Sequence, residues 1–306
     1  MVINLDFRQL ETFVEVINSK SFSKAANKLF LTQPTVTSHI QNLEKELNIS
    51  LLNRSNKNIS PTSGGKILYN YAQDIINMRD MAQFKLGKYK GQIEGTLEIA
   101  SSTIPKQYIL PHILKSFFSK YPNITLNILH NNSKGVINDI MDNRIDFGIV
   151  GAKYNNRHLK YIELIEDNLI LIAPKNNNLS NSKKLTIDLV RKENMILRHQ
   201  GSGSRLLLEK ALHDINDSIK SFNVVITTES NETIKKFVEL GIGVSFISEL
   251  AVKKELENDV FKGYNIPELN LNRKFYFVYH ENRYLSPLAE TFKNFVTNWI
   301  NKRVEL

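Results

Sequence analysis

The segment Leu31-Thr32-Gln33-Pro34-Thr35, followed by apolar residues at Val36, Ile40, Leu43 and Leu47, constrains the fold of this chain more than any other stretch. Thr32 has the chemistry of an N-cap, and Pro34 falls in a first helical turn, where a missing N–H costs nothing. A helix is therefore expected to start here and bury Val36, Ile40, Leu43 and Leu47. Its polar faces would carry Thr35, Ser38, His39, Gln41 and Asn42. Just upstream, Ser21 caps an expected shorter helix whose inner face is Phe22, Ala25, Ala26 and Leu29; the two alanines let a crossing helix approach closely. Before that, Phe7, Leu10, Val14 and Ile17 recur at helical spacing and predict a first helix ending at Asn18-Ser19-Lys20-Ser21.

Two short helices joined by a tight turn, the second bearing small hydrogen-bonding side chains near its start, fit a helix-turn-helix whose second helix enters the major groove. Gln and Ser side chains can read base edges, and Thr methyls can touch the thymine methyl. Taken alone, a polar helix face is more often only solvated, and His39 reads equally well as a surface histidine. The next dozen residues strengthen the DNA reading. Leu51-Leu52-Asn53-Arg54 and Ile59-Ser60-Pro61-Thr62 flank the polar turn Ser55-Asn56-Lys57-Asn58, which predicts a two-stranded wing. Arg54 and Lys57 would meet phosphate there, setting position on the duplex rather than sequence. The formal net charge of +9 permits a polyanionic partner, although a Lys-, Asn- and Ile-rich composition also arises in an AT-rich genome.

Residues 1 to about 65 resemble the N-terminal domain of LysR-type transcriptional regulators. The likeness is carried by Phe13, Ser21-Phe22-Ser23-Lys24-Ala25-Ala26, Leu29, Thr32-Gln33-Pro34-Thr35-Val36-Thr37, Ile40, Leu43-Glu44, Leu47, Leu51-Leu52, Arg54 and Pro61-Thr62-Ser63-Gly64-Gly65. Leu52 and Pro61 depart from the commonest family residues, Phe and Leu, without upsetting the wing. The resemblance implies a winged helix-turn-helix over 1–62, with DNA contacts from Ser23, Lys24, Thr32, Gln33, Pro34, Thr35, Ser38, His39, Gln41, Asn42, Arg54 and Lys57. It also implies a transcription regulator, activator or repressor, that binds an interrupted palindrome as a homodimer or homotetramer and contacts RNA polymerase.

From Ser63 to about Tyr89 there is no proline, and Leu68, Tyr71, Ile75, Met78 and Ala82 alternate three- and four-residue spacings. This is a coiled-coil seam of about two heptads, assigned to a linker and dimerisation helix over 63–91. Gly87, Gly91 and Gly95 are expected to end it and form a hinge.

Beyond the hinge the pattern alternates strand and helix. Expected strands are Leu97–Ala100, Ile124–Leu129, Ile145–Val150, Leu169–Ala173, Met195–Arg198, Val224–Thr227, Val244–Ile247 and Phe275–Tyr279. Expected helices are Tyr108–Lys120, Val136–Met141, Arg205–Asp214, Glu232–Leu240 and Leu288–Trp299. Repeated βα units imply parallel sheets covered on both faces. The fold class is thus α/β with a helical head: a bilobal effector domain over 92–306 of two Rossmann-like lobes, similar to periplasmic binding proteins. Lobe I is assigned to 92–163 and 270–306, and lobe II to 164–269.

Ligands of open α/β sheets sit beyond the carboxyl ends of strands, where loops feed helix N-termini. Ser101-Ser102-Thr103-Ile104 and Gln200-Gly201-Ser202-Gly203-Ser204-Arg205 occupy equivalent places in the two lobes and predict a cleft for a small anion. Each loop alone reads more readily as an ordinary cap or turn, and it is their equivalent placement that points to the cleft. Expected effector contacts are Ser101, Ser102, Thr103, Gln107, Asn132, Gly151, Arg198, Gly201, Ser202, Ser204, Thr228 and Ser245, with Arg205 as an alternative source of charge. The Ser-Ser-Thr and Gly-Ser-Gly-Ser-Arg loops most resemble regulators of sulfur assimilation and cysteine synthesis, which implies a sulfate-like anion or O-acetylserine as effector and no other cofactor.

The chain has no cysteine, so disulfides and thiolate chemistry are excluded. Gly201-Ser202-Gly203 lacks the glycine spacing of a nucleophile elbow, and neither a GKS/GKT phosphate loop nor a metal-ligand cluster is apparent. Neither catalytic nor metal-binding residues are expected. With no signal peptide and no apolar run of about 20 residues, the protein is expected to be cytoplasmic and away from membranes. Two other readings stay open: a bilobal solute-binding protein, and a DNA-binding regulator whose lobes are only a structural dimer core.

Overall fold

The computed structural model describes residues 5–55, 58–89, 94–177, 179 and 185–304. The chain divides into two compact units, Met1–Glu94 with Asn282–Thr291, and Gly95–Glu281 with Phe292–Leu306.

In the first unit, α1 (Phe7–Ser19), α2 (Phe22–Leu29) and α3 (Gln33–Leu47) precede an antiparallel hairpin of β1 (Leu52–Ser55) and β2 (Asn58–Pro61), and α4 (Ser63–Tyr89) comes next. The caps act as the sequence predicts: Ser21 accepts from Lys24 N, and Thr32 accepts from Thr35 N. All three helices stop at left-handed residues, Lys20, Phe30 and Asn48, whose N–H groups return to carbonyls of the last turn. The core gathers Leu10, Phe13, Val16, Ala25, Ala26, Val36, Ile40, Leu43, Leu51 and Leu52, closed by Tyr69 and Ala72 of α4.

The buried stripe of α1 differs from the expected one. Leu10, Phe13 and Val16 are buried, Val14 and Ile17 only flank them, and Phe7 is exposed. Both stripes have helical spacing, so periodicity alone could not choose between two faces a residue apart. Phe7 lies instead under the Arg79 guanidinium of α4, 5.3 Å from the ring centre. The linker helix runs through Gly87 to Tyr89 rather than stopping there, and Gly91 lies outside the described residues. Leu68 and Ile75 of the expected seam pack on the unit's own core, whereas Tyr71, Met78 and Ala82 are exposed.

In the second unit the order is β3 (Gly95–Ser101), α5 (Leu110–Lys120), β4 (Ile124–His130), α6 (Ser133–Met141), β5 (Phe147–Val150), β6 (Leu159–Pro174), α7 (Ile187–Val190), β7 (Asn194–Arg198), α8 (Gly203–Asp214), β8 (Asn223–Thr228), α9 (Asn231–Glu239), β9 (Ser245–Ser248), α10 (Glu249–Glu257), β10 (Phe261–Tyr264), β11 (Asn272–His280) and α11 (Pro287–Val304). The run into α5 begins at Thr103 and contains a π turn, Pro105–Ile109, so this helix starts five residues before its expected position.

The sheets are not uniformly parallel. β3 pairs in parallel with β4 and β5, and β7 with β8, as βα units require. The 16-residue β6, expected only as Leu169–Ala173, is antiparallel to β11 from Leu159 to Asn168 and then to β9 and β10. β6 and β11 are therefore the two strands by which the chain passes between lobes. Lobe I centres on Phe117, Phe147, Phe277 and Phe292, with Phe117 edge-on to Phe292 at 5.0 Å and Phe147 stacked on Phe277 at 4.7 Å. Lobe II closes around Leu169, Leu171, Met195, Leu197, Leu208, Leu212, Val244 and Phe246.

Candidate functional site

Two surfaces carry chemistry, one in each unit. On the head, Ser23, Lys24, Thr32, Gln33, Pro34, Ser38, Gln41 and Asn42 are exposed, and Thr35 and His39 are half-buried. Several are tied together. Ser23 Oγ donates to Gln33 Oε1 at 2.9 Å, and the Thr32 and Thr35 hydroxyls meet at 2.8 Å. His39 is not a free surface histidine: its Nδ1 lies 2.9 Å from Thr12 Oγ1. Thr12 donates its one hydroxyl proton to Arg8 O at 2.7 Å, which makes Nδ1 the donor in the contact between Thr12 and His39. The side chain of Arg54 and the whole of Lys57 lie outside the described residues.

In the second unit, three N-termini converge on one cleft: the run from Thr103, α6 capped by Asn132, and α8 capped by Ser202. Asn132 Oδ1 accepts from Gly135 N at 2.8 Å, and Ser202 Oγ accepts from Arg205 N at 3.2 Å. The cleft is nearly closed, with a cavity volume of about 20 Å³. Of the expected effector residues, Ser102, Thr103, Asn132, Gly151, Arg198, Ser202 and Ser204 line it. The walls come close. A Cβ on Gly203 would lie 3.3 Å from both Gly151 O and Ser133 Oγ, so glycine lets the loop of α8 approach lobe I.

Five expected residues sit elsewhere. Ser101 is buried and donates to backbone carbonyls, and Ser245 donates to Ile196 O at 2.7 Å inside lobe II. Ser245 opens its strand rather than ending it, which explains the misplacement. Thr228 accepts from Ser230 N at the turn into α9. Gly201 takes φ +85° beside the Asn132 amide without lining the cleft. Gln107 belongs to another cavity, beside Tyr108 and Lys254, because the early start of the helix carries it past the mouth. Arg205 turns away, donating to Arg198 O and Glu209.

Arg273 is the main residue that sequence reasoning missed. It lies in β11, 75 residues beyond Arg198, and reaches the cleft only because β11 returns alongside β6. Its side chain is 6% exposed and is ion-paired at 2.7 Å with the fully buried Asp167, whose other oxygen accepts from Ser248 Oγ. Burial lowers the Arg273 pKa, and Asp167 opposes that fall. Arg198 is 6% exposed, donates through Nη1 to Asn231 Oδ1 and leaves Nε without a partner. Burial first, then the Arg273 charge, lowers its pKa to about 10, with Glu229 opposing. Asn231 Nδ2 is also buried and unpartnered. No cleft-lining residue is a carboxylate among those described. Asp167 is ion-paired with Arg273, whereas Arg198 is opposed only by the longer-range charge of Glu229, and the helix dipoles add to the positive side.

A winged head for duplex DNA and a bilobal sensor domain define the class: a one-component DNA-binding regulator. The chain matches "Bacterial regulatory helix-turn-helix protein, lysR family" over residues 7–66 and "LysR substrate binding domain" over 90–301. It belongs to the LysR family of transcriptional regulators. It is 32% identical over 285 residues to the regulator CysL of Bacillus subtilis, covering 93% of this chain and 92% of that protein. A full-length OxyR variant from Pseudomonas aeruginosa shares the fold, with TM-score 0.74 and 18% identity over 96% of this chain and 95% of that one. The CcmR regulatory domain of Synechocystis, solved in complex with 2-PG, matches with TM-score 0.61 and 26% identity over 68% of this chain and 98% of that domain. These relatives are regulators or their sensor domains, not enzymes. Among the described residues, no helix is long and apolar enough to cross a membrane.

Proposed function

We propose that this regulator senses a small anion in the cleft between its lobes and acts in the cytoplasm on genes of sulfur or cysteine metabolism. The observation that carries the anion is the imbalance of charge: buried Arg198 and Arg273 face the cleft, and Arg273 alone is ion-paired, with Asp167. A sulfate-like oxyanion, or the carboxylate of O-acetylserine, supplies the missing charge and accepts from Arg198 Nε and from N–H groups at the starts of α6 and α8. The similarity to CysL supports the sulfur branch, and the CcmR complex with 2-PG supports a small-molecule effector.

The DNA target is an interrupted palindrome bound by a homodimer or homotetramer. Gln33 and Ser38 read bases, and Arg54 and Lys57 contact phosphate. Effector closure of the cleft biases one arrangement of the heads over another, altering DNA bending and contact with RNA polymerase. Only a difference in affinity between the two arrangements can drive this.

Calorimetry and thermal shift of the full chain with sulfate, thiosulfate, O-acetylserine and simple carboxylates test the sensor. Stabilisation by at least one is expected, and failure of every anion removes the proposal. For DNA, Gln33→Ala and Ser38→Ala should weaken specific more than non-specific binding. Arg54→Ala should weaken both and flatten the salt dependence; equal losses from all three contradict these roles.

A further inference from the structure

Glu44 stands in the last turns of α3, away from the reading turn, and its carboxylate leaves the helix to meet the segment that starts the wing. Oε1 accepts from Leu51 N at 2.8 Å and from Leu52 N at 3.2 Å. Leu51 and Leu52 are buried, so their N–H groups need an acceptor within the protein, and a carboxylate is a strong one. The same segment is gripped from the far side of the wing. Thr62 N donates to Leu51 O at 2.9 Å, Thr62 Oγ1 donates to Ser50 O at 2.7 Å, and Gly65 N donates to Thr62 Oγ1 at 3.0 Å. A Cβ on Gly65 would fall 2.0 Å from Leu51 O, so α4 can lie this close only with glycine there. The wing root is therefore clamped between α3, through Glu44, and α4, through Thr62 and Gly65.

We propose that Glu44 is the positioning residue that couples the recognition helix to the wing, fixing the start of β1 against the end of α3 so that the hairpin and the helix meet one duplex together. It touches no base and no phosphate; it acts through Leu51 and Leu52. The proposal rests on the wing meeting phosphate. Arg54→Ala tests that separately, since an unchanged salt dependence in that variant would fail the wing reading and not the clamp.

The test uses the full chain with Glu44→Ala, Glu44→Gln and Thr62→Val. Hydrogen exchange at the Leu51 and Leu52 amides reports the clamp. Titration of a random-sequence duplex across a salt series reports phosphate binding by the wing, and selection from a random duplex pool reports base preference. Glu44→Ala should speed exchange at both amides, weaken duplex binding about tenfold at low salt and lower the log–log salt slope by about 0.9 for each phosphate no longer neutralised. The selected sequence should stay the same. Glu44→Gln keeps an acceptor without the charge and should fall between Glu44→Ala and the parent chain. Faster exchange with an unchanged slope would overturn the proposal, because Glu44 would then only support the fold. A changed base preference with an intact slope would overturn it too. Where Glu44→Ala fails to fold by circular dichroism, Glu44→Gln and Thr62→Val carry the decision, and a parental slope in both overturns it.

Discussion

Replacing Arg198 by Met should make the unliganded protein more stable while abolishing its response to anions. Arg198 holds its charge in a cleft that lowers its pKa to about 10, a penalty of about 3 kcal/mol against the cation at about 1.4 kcal/mol per pKa step. The sign is that of a base depressed by folding. The penalty is complete at every pH below about 10 and is relieved only above it, so neutral pH is the right condition. Met removes the charge at similar volume but leaves Asn231 Oδ1 without its donor, which costs about 1 kcal/mol. The net gain is about 2 kcal/mol, or a rise in Tm of roughly 4–8 °C for a unit of this size. Scanning calorimetry at pH 7 in dilute chloride, repeated with sulfate at matched ionic strength, separates the two effects. The parent should gain about 2.7 kcal/mol at a sulfate concentration a hundred times its Kd, and Arg198→Met should gain nothing. A variant less stable than the parent, or one that sulfate protects equally, would refute the reasoning.

Asp167→Asn removes the partner of a buried guanidinium and should cost about 3–5 kcal/mol in urea unfolding, partly restored by sulfate; an unchanged midpoint contradicts the pairing. His130 has its pKa lowered by burial first, then by the charge of Lys106, with a smaller contribution from Arg198. As pH falls below about 6.5 the unfolded chain therefore takes up the proton first, and stability declines. His130→Asn should flatten that decline, and an equally steep acid limb in the variant would show that other groups cause it. Met78 is half-exposed on the outer side of α4, beyond the head's own core. Met78→Lys should shift the chain toward monomer in light scattering if this seam joins two copies, and an unaltered mass would rule the seam out.

Much of the head was legible because its signals are local. Ser21 and Thr32 cap helices through hydrogen bonds spanning three residues, and Val36, Ile40 and Leu43 bury one face of a single helix. The converging loops at Ser102 and Ser202 were legible for the same reason, each being a strand end succeeded at once by a helix start. Local spacing cannot rank two adjacent helical stripes, so Phe7 was expected in a core that Phe13 and Val16 fill.

The sequence by itself determined the kind of molecule: a winged reader, a long helix and alternating strands and helices with anion-ready N-termini. Tertiary structure alone decided which charges meet. Asp167 and Arg273 lie more than a hundred residues apart, and only the antiparallel return of β11 along β6 pairs them and sets Arg273 opposite Arg198 in the cleft. Strand pairing between distant segments comes from burying a shared core, and no local pattern records which partner a strand will find.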